Sequence, residues 1–159
     1  GYTIVQSFEY VLVMILAQLP GYIVAAWLVE KLGRKPTLAG FIAMCAVAAY
    51  FFGQSTTVAM IMFWGCLMSF FNLGAWGVLY TYTPEQYPTN IRAFGSGWAA
   101  AIGRIGGIVA PLVVTHMMVA ENGFSHVFMM FTAVLLAVAA VIIVLGEETK
   151  GKTLESIGM

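Results

Sequence analysis

The sequence predicts an all-α, polytopic membrane bundle of five transmembrane helices. Three observations carry this: the composition, five long apolar runs, and basic loops that alternate with uncharged or acidic ones. Hydrophobic residues make up 61% of the 159 and charged residues 9%, against roughly 25% charged in an ordinary soluble domain. A soluble fold of this length leaves about a third of its unfolded surface wet, more than so few charges would cover. A closed β-barrel also satisfies backbone groups in lipid. It would show strict apolar/polar alternation, and the stretch Phe41–Phe52 does not alternate.

A helix needs about 20 apolar residues to cross a bilayer. Runs of that order lie at Ser7–Val29, Pro36–Phe52, Val58–Tyr82, Phe94–Val119 and His126–Leu145. The first reads as a span rather than a cleaved signal peptide, because no basic leader and no small-residue cleavage site accompany it. Six of the seven Lys and Arg residues fall in three places: Lys31-Leu-Gly-Arg34-Lys35, Arg92, and Lys150-Gly-Lys152. The intervening loops, Gly53–Thr57 and Ala120–His126, carry none. Positive charge stays with cytoplasmic loops, so the N-terminus is expected outside and the C-terminus in the cytoplasm of a plasma (inner) membrane.

Other classes find no support. The formal net charge is zero, and no basic patch with interleaved aromatics suggests a nucleic acid. Cys45 and Cys66 sit inside apolar runs and read as small buried hydrophobes. His116 and His126 flank an outer loop without partners at ligand spacing. Nucleophile elbow, phosphate-cradling loop and H-E-x-x-H are all missing from the sequence. An enzyme, a metal site and a cofactor are therefore not expected.

The runs differ in polarity. The second and fifth contain little that is polar beyond Thr37 and Thr132, whereas the first, third and fourth carry Gln18, Asn72 and Arg104. Each lies about 10 residues from one end of its run, or ~15 Å deep at 1.5 Å per residue, near the middle of a ~30 Å core. Polar side chains at that depth face a cavity or another helix. The first, third and fourth helices are thus expected to line a central cavity, and the second and fifth to face lipid.

Gln18 and Asn72 read either as ligand contacts or as hydrogen bonds between helices, worth ~0.6 kcal/mol. Trp76 and Tyr80 follow Asn72 at i+4 and i+8 on one helix face, as an aromatic wall or as interface anchors. Gly103-x-x-x-Gly107 would let a neighbouring backbone approach. Pro20-Gly21 and Pro111 would bend their helices. Arg104 is the costly residue, at ~2.5 to more than 10 kcal/mol for a guanidinium at the bilayer centre. It needs water, an acid, carbonyls or an anionic ligand, and the five runs offer no carboxylate at its depth.

Three motifs lie at the predicted cytoplasmic ends. They are Ala26-Trp-Leu-Val-Glu30-Lys-Leu-Gly33-Arg34-Lys35; Pro84-Glu85-x-Tyr87-Pro88-Thr89-x-x-Arg92-x-x-Gly95; and Glu148-Thr149-Lys150-Gly151 followed by Leu154-Glu155. Together they resemble the C-terminal half of a major facilitator superfamily transporter, with Ala26, Glu30 and Glu147 departing from the usual Gly, Asp and Pro. The resemblance implies twelve helices in two halves, of which these would be helices eight to twelve, so residues 1–159 read as a fragment whose N-terminal half is a missing partner. It also implies a cytoplasmic gate built from Glu30, Arg34, Glu85, Arg92 and Glu148.

The substrate-binding set expected is Arg104, Asn72, Trp76, Gln18 and Tyr80. Tyr80–Glu85 and Gly103–Pro111 look like the metabolite branch, which includes niacin, aromatic-acid, synaptic-vesicle and organic-ion carriers. The function expected is secondary active transport of a small organic anion such as nicotinate, by alternating access and with possible proton coupling. A sugar transporter, and a non-transporting scaffold or receptor on the same fold, are the alternatives.

Overall fold

The computed structural model describes residues 4–151. Six helices follow one another: α1 Ile4–Leu16, α2 Gln18–Leu32, α3 Arg34–Gly53, α4 Val58–Glu85, α5 Arg92–Met118 and α6 Gly123–Leu145. Among the described residues there is no strand. α1 and α2 meet at Ala17 and form one apolar crossing, so five helices are long and apolar enough to span a membrane. Gly1–Thr3, Lys152 and the motif residues Leu154 and Glu155 lie outside the described residues.

The first run is therefore two helices rather than one. Pro20 has no N–H for the Leu16 carbonyl, and its ring crowds that carbonyl. The helical pattern lapses at Ala17, although the Ala17 N–H still reaches the Val13 carbonyl at 3.0 Å. Gly21 serves a second purpose. A Cβ there would strike the Phe70 carbonyl, and one on Gly74 would strike the Phe41 ring and come within 3.1 Å of the Gly21 carbonyl. The two glycines thus set the close crossing of α2 on α4. Pro111, by contrast, leaves α5 a single element, and the Thr115 hydroxyl donates to the Pro111 carbonyl at 2.7 Å.

The core gathers Ala25 of α2, Leu38, Phe41 and Ile42 of α3, Ala75, Val78 and Tyr82 of α4, and Ala139 of α6. α3 packs chiefly against α4 and α6 and also touches α2. The Thr132 hydroxyl of α6 lies 2.8 Å from its own Phe128 carbonyl and 3.2 Å from the Ala46 carbonyl of α3. This corrects the expectation for the second run, since α3 is the most enclosed helix and its open residues are confined to Pro36, Gly40, Met44, Val47, Tyr50 and Phe51. Lipid tails are as apolar as leucine, so a lack of polar residues does not separate a lipid-facing helix from one packed among its neighbours.

α5 is the opposite case. It meets only α4 and α6 among the described residues, and none of its residues is buried. No atom lies within 4 Å of a Cβ built on Gly97, Gly103, Gly106 or Gly107. The close backbone approach expected at Gly103-x-x-x-Gly107 is not made among the described residues.

Candidate functional site

Two regions carry the polar chemistry. At one end of the bundle α2 and α4 finish, α3 and α5 begin, and the segment after α6 folds back across them. The turn from α2 to α3 depends on Gly33, whose φ of 107° favours glycine. Its missing side chain also leaves room for the Glu148 carboxylate, which would lie 2.6 Å from a Cβ. Glu148 Oε1 accepts the Arg34 N–H at 3.0 Å, and Oε2 accepts the Lys35 N–H at 3.1 Å. The first N–H groups of a helix have no partner inside it, and the dipole favours an anion there. A distant carboxylate therefore caps α3.

The neighbouring residues extend this contact. The Tyr82 hydroxyl donates to the Glu147 carbonyl at 2.7 Å, and the Gln86 amide bonds the Glu147 backbone both ways, at 3.1 and 3.2 Å. Thr149, 4% exposed, donates to Glu85 Oε2. Lys150 Nζ donates to the Lys31 carbonyl at 2.7 Å, and its N–H to Glu148 Oε1 at 2.9 Å. Arg34 Nε lies 3.3 Å from Glu85 Oε2, an ion-pair distance without the alignment of a hydrogen bond. The pair is partly exposed and worth less than about 1 kcal/mol.

Of the five expected gate charges, Arg34, Glu85 and Glu148 come together here. Arg92 turns back so that its Nε donates to the Pro84 carbonyl at 3.0 Å, capping the end of α4. Glu30 is exposed, with no side-chain partner among the described residues. Tyr82, Gln86, Thr149 and Lys150 were not expected as members. Their partners are backbone groups or a carboxylate far along the chain. The one local signal was the crowding of polar residues at 82–86 and 147–150.

The second region is the middle of the spans. Asn72, Trp76 and Tyr80 share one exposed face of α4, with the two rings 5.4 Å apart at 36°. Arg104 is exposed on α5, in a stretch from Ala100 to Val113 that nothing covers. Neither Asn72 nor Arg104 has a hydrogen-bond or ion-pair partner among the described residues, and no contact joins Arg104 to Trp76. Gln18 is half-buried at the start of α2 and likewise makes no side-chain hydrogen bond among them. The structure thus gathers the α4 trio on one face and leaves Arg104 and Gln18 apart from it.

A groove of about 460 Å³ does open beside the Ala17 break, lined by Val13, Ala17 and Pro20 on one side and Met62, Cys66 and Phe70 on the other. Its wall is wholly apolar. It lies on a different side of α4 from Asn72 and offers nothing to orient a polar solute. The α4 trio and Arg104 remain the better candidates for recognition.

Five apolar crossings, polar residues kept to their mid-depth, and a charged network at one end define a polytopic membrane transport fold. The chain belongs to the Major Facilitator Superfamily, whose family model matches residues 5–158. It is 80% identical over all 159 residues to the niacin transporter NiaP of Acinetobacter baylyi, covering 36% of that protein. It is 54% identical over 155 residues, 98% of the chain and 39% of the relative, to the putative niacin/nicotinamide transporter NiaP of Bacillus subtilis. It is 34% identical over 140 residues, 87% of the chain and 30% of the relative, to the putative metabolite transport protein YdjK of Escherichia coli. The chain therefore spans between a quarter and two-fifths of the length of the curated relatives it matches. Membership of this family makes it an integral membrane protein and not an enzyme, and the relatives above are metabolite carriers by name.

Proposed function

We propose that this chain is part of a secondary active transporter that carries a nicotinate-like aromatic carboxylate across the plasma membrane by alternating access. The observation that carries the reading is Arg104, an exposed guanidinium on an apolar span with no protein partner among the described residues. Such a charge is costly in lipid, so it needs water, a polar protein partner or an anion, and an arginine holds a carboxylate through two parallel hydrogen bonds. Asn72 and the Trp76–Tyr80 pair supply a polar contact and a flat aromatic surface for a ring. Gln18 adds an amide from the first span. The names of the two NiaP relatives agree with this chemistry.

The arrangement of Lys and Arg supports an outside N-terminus and a cytoplasmic C-terminus. Glu30 and the free edge of the Arg34 guanidinium are the groups best placed to pair with the rest of the transporter when the cytoplasmic side is shut. Proton coupling belongs to the same proposal, with the coupling acid outside this chain.

The test compares uptake of nicotinate and nicotinamide by the full-length transporter in wild type and Arg104→Gln. The expected result is that the variant loses its preference for the acid while amide uptake is kept. An unchanged acid-to-amide ratio in a well-folded, active variant overturns the assignment.

A further inference from the structure

The bonds that Glu147–Lys150 makes to α2, α3 and α4 join helices of this one half of the transporter. The segment bonds the last turn of α4 through Tyr82, Glu85 and Gln86, the first two amides of α3 through Glu148, and the end of α2 through the Lys31 carbonyl. It leads directly out of α6. Four spans are therefore tied at one end by a single run of four residues. A gate contact in a rocking mechanism has to cross between bodies that move apart. A contact internal to one body does not.

The bonds themselves are also unlike those of a gate. Two exposed side chains that pair across water separate at little cost. Here a carboxylate satisfies helix N–H groups that have no other protein partner, and a Thr hydroxyl 4% exposed sits on Glu85. Opening would leave polar groups of three helices unpaired at once, each at about 1–3 kcal/mol where buried. Gly33 adds to this, because its bare α-carbon leaves the room that the Glu148 carboxylate fills.

We infer that Glu147–Lys150 is a permanent strap, closed in every state of the transport cycle, which makes α2, α3, α4 and α6 one rigid body. Glu148 is then a positioning residue and not a gate charge. The inference rests on the alternating-access reading above.

The experiment uses the full-length transporter in membranes, with native cysteines replaced and the pair Gln86→Cys and Glu147→Cys introduced. A short bismaleimide joins the two positions, and nicotinate uptake is measured before and after. Uptake within about twofold of its starting value after cross-linking is expected for contacts inside a rigid body. Loss of uptake on cross-linking overturns the inference, and so does failure of the pair to cross-link. The uptake before cross-linking reports on the transport reading separately. If nicotinate is not taken up at all, amide exchange at Arg34 and Lys35 still decides. Protection that stays within about twofold between inward- and outward-trapped protein supports the strap, and loss of protection in either state overturns it.

Discussion

The carboxylate of Glu148 accepts the backbone N–H of Arg34 at 3.0 Å across 114 residues of sequence. A residue just beyond the last span thus completes the first turn of the second span. Removing the carboxylate leaves the Arg34 and Lys35 amides without their partner. Glu148→Ala is expected to cost about 1–2 kcal/mol, the range for lost N-caps, and Glu148→Gln less, because one oxygen still accepts. A thermal-unfolding series on detergent-solubilised protein reads both, and equal midpoints for Glu148→Ala and wild type contradict the cap.

Gly33→Ala meets two obstacles. Its φ of 107° strains any side chain, and its Cβ would run into Glu148 Oε2. A cost of about 1–3 kcal/mol is expected for the backbone alone. Because the clash needs the carboxylate, the Gly33→Ala/Glu148→Ala double variant should lose less than the sum of the two. Strict additivity in the same unfolding assay would mean that the side chain does not occupy the turn.

The α2–α4 crossing predicts a contrast between glycines. Gly21→Val pushes a side chain into the Phe70 carbonyl, an overpacking change of about 1–3 kcal/mol or more. Gly103→Ala in the isolated 159-residue chain meets nothing within 4 Å and should be neutral, or favourable by about 1 kcal/mol through helix propensity. Unfolding midpoints of the two variants side by side check the order.

Tyr82→Phe deletes the hydroxyl that reaches the Glu147 carbonyl at 2.7 Å and keeps the ring in the core. The expected loss is about 0.5–1.5 kcal/mol, the net worth of one hydrogen bond, with transport unaffected if the strap is structural. A selective change in substrate affinity at unchanged stability would instead assign Tyr82 to recognition.

The five spans, their order and the polar ends were legible because length, hydropathy and charge are local properties. The Pro20-Gly21 bend was legible too, although the break falls at Ala17, since the carbonyl that loses its donor lies four residues before the proline. Glu148 was visible as a charge but not as a cap, because its partners are backbone amides that every residue carries. For the same reason Gln86, Tyr82, Thr149 and Lys150 escaped notice. The enclosure of α3 left no trace in its composition, since lipid and protein present it with equally apolar surroundings. Arg104, Asn72 and Gln18 were singled out by their depth, and Trp76 and Tyr80 by their spacing from Asn72.

The bareness of α5 bears on how the protein is made. A span that finds few neighbours among the described residues enters the bilayer largely on its own transfer energy. Its eight Leu, Ile, Val and Phe residues contribute together about 2–5 kcal/mol on the insertion scale. Arg104 alone takes back about 2.5–3.5 kcal/mol at the helix centre. α5 is thus poised near the threshold for partition during synthesis. The residue proposed to recognise the cargo is also the one that makes its helix reluctant to enter the lipid, and the far more apolar α6 follows it directly in the chain.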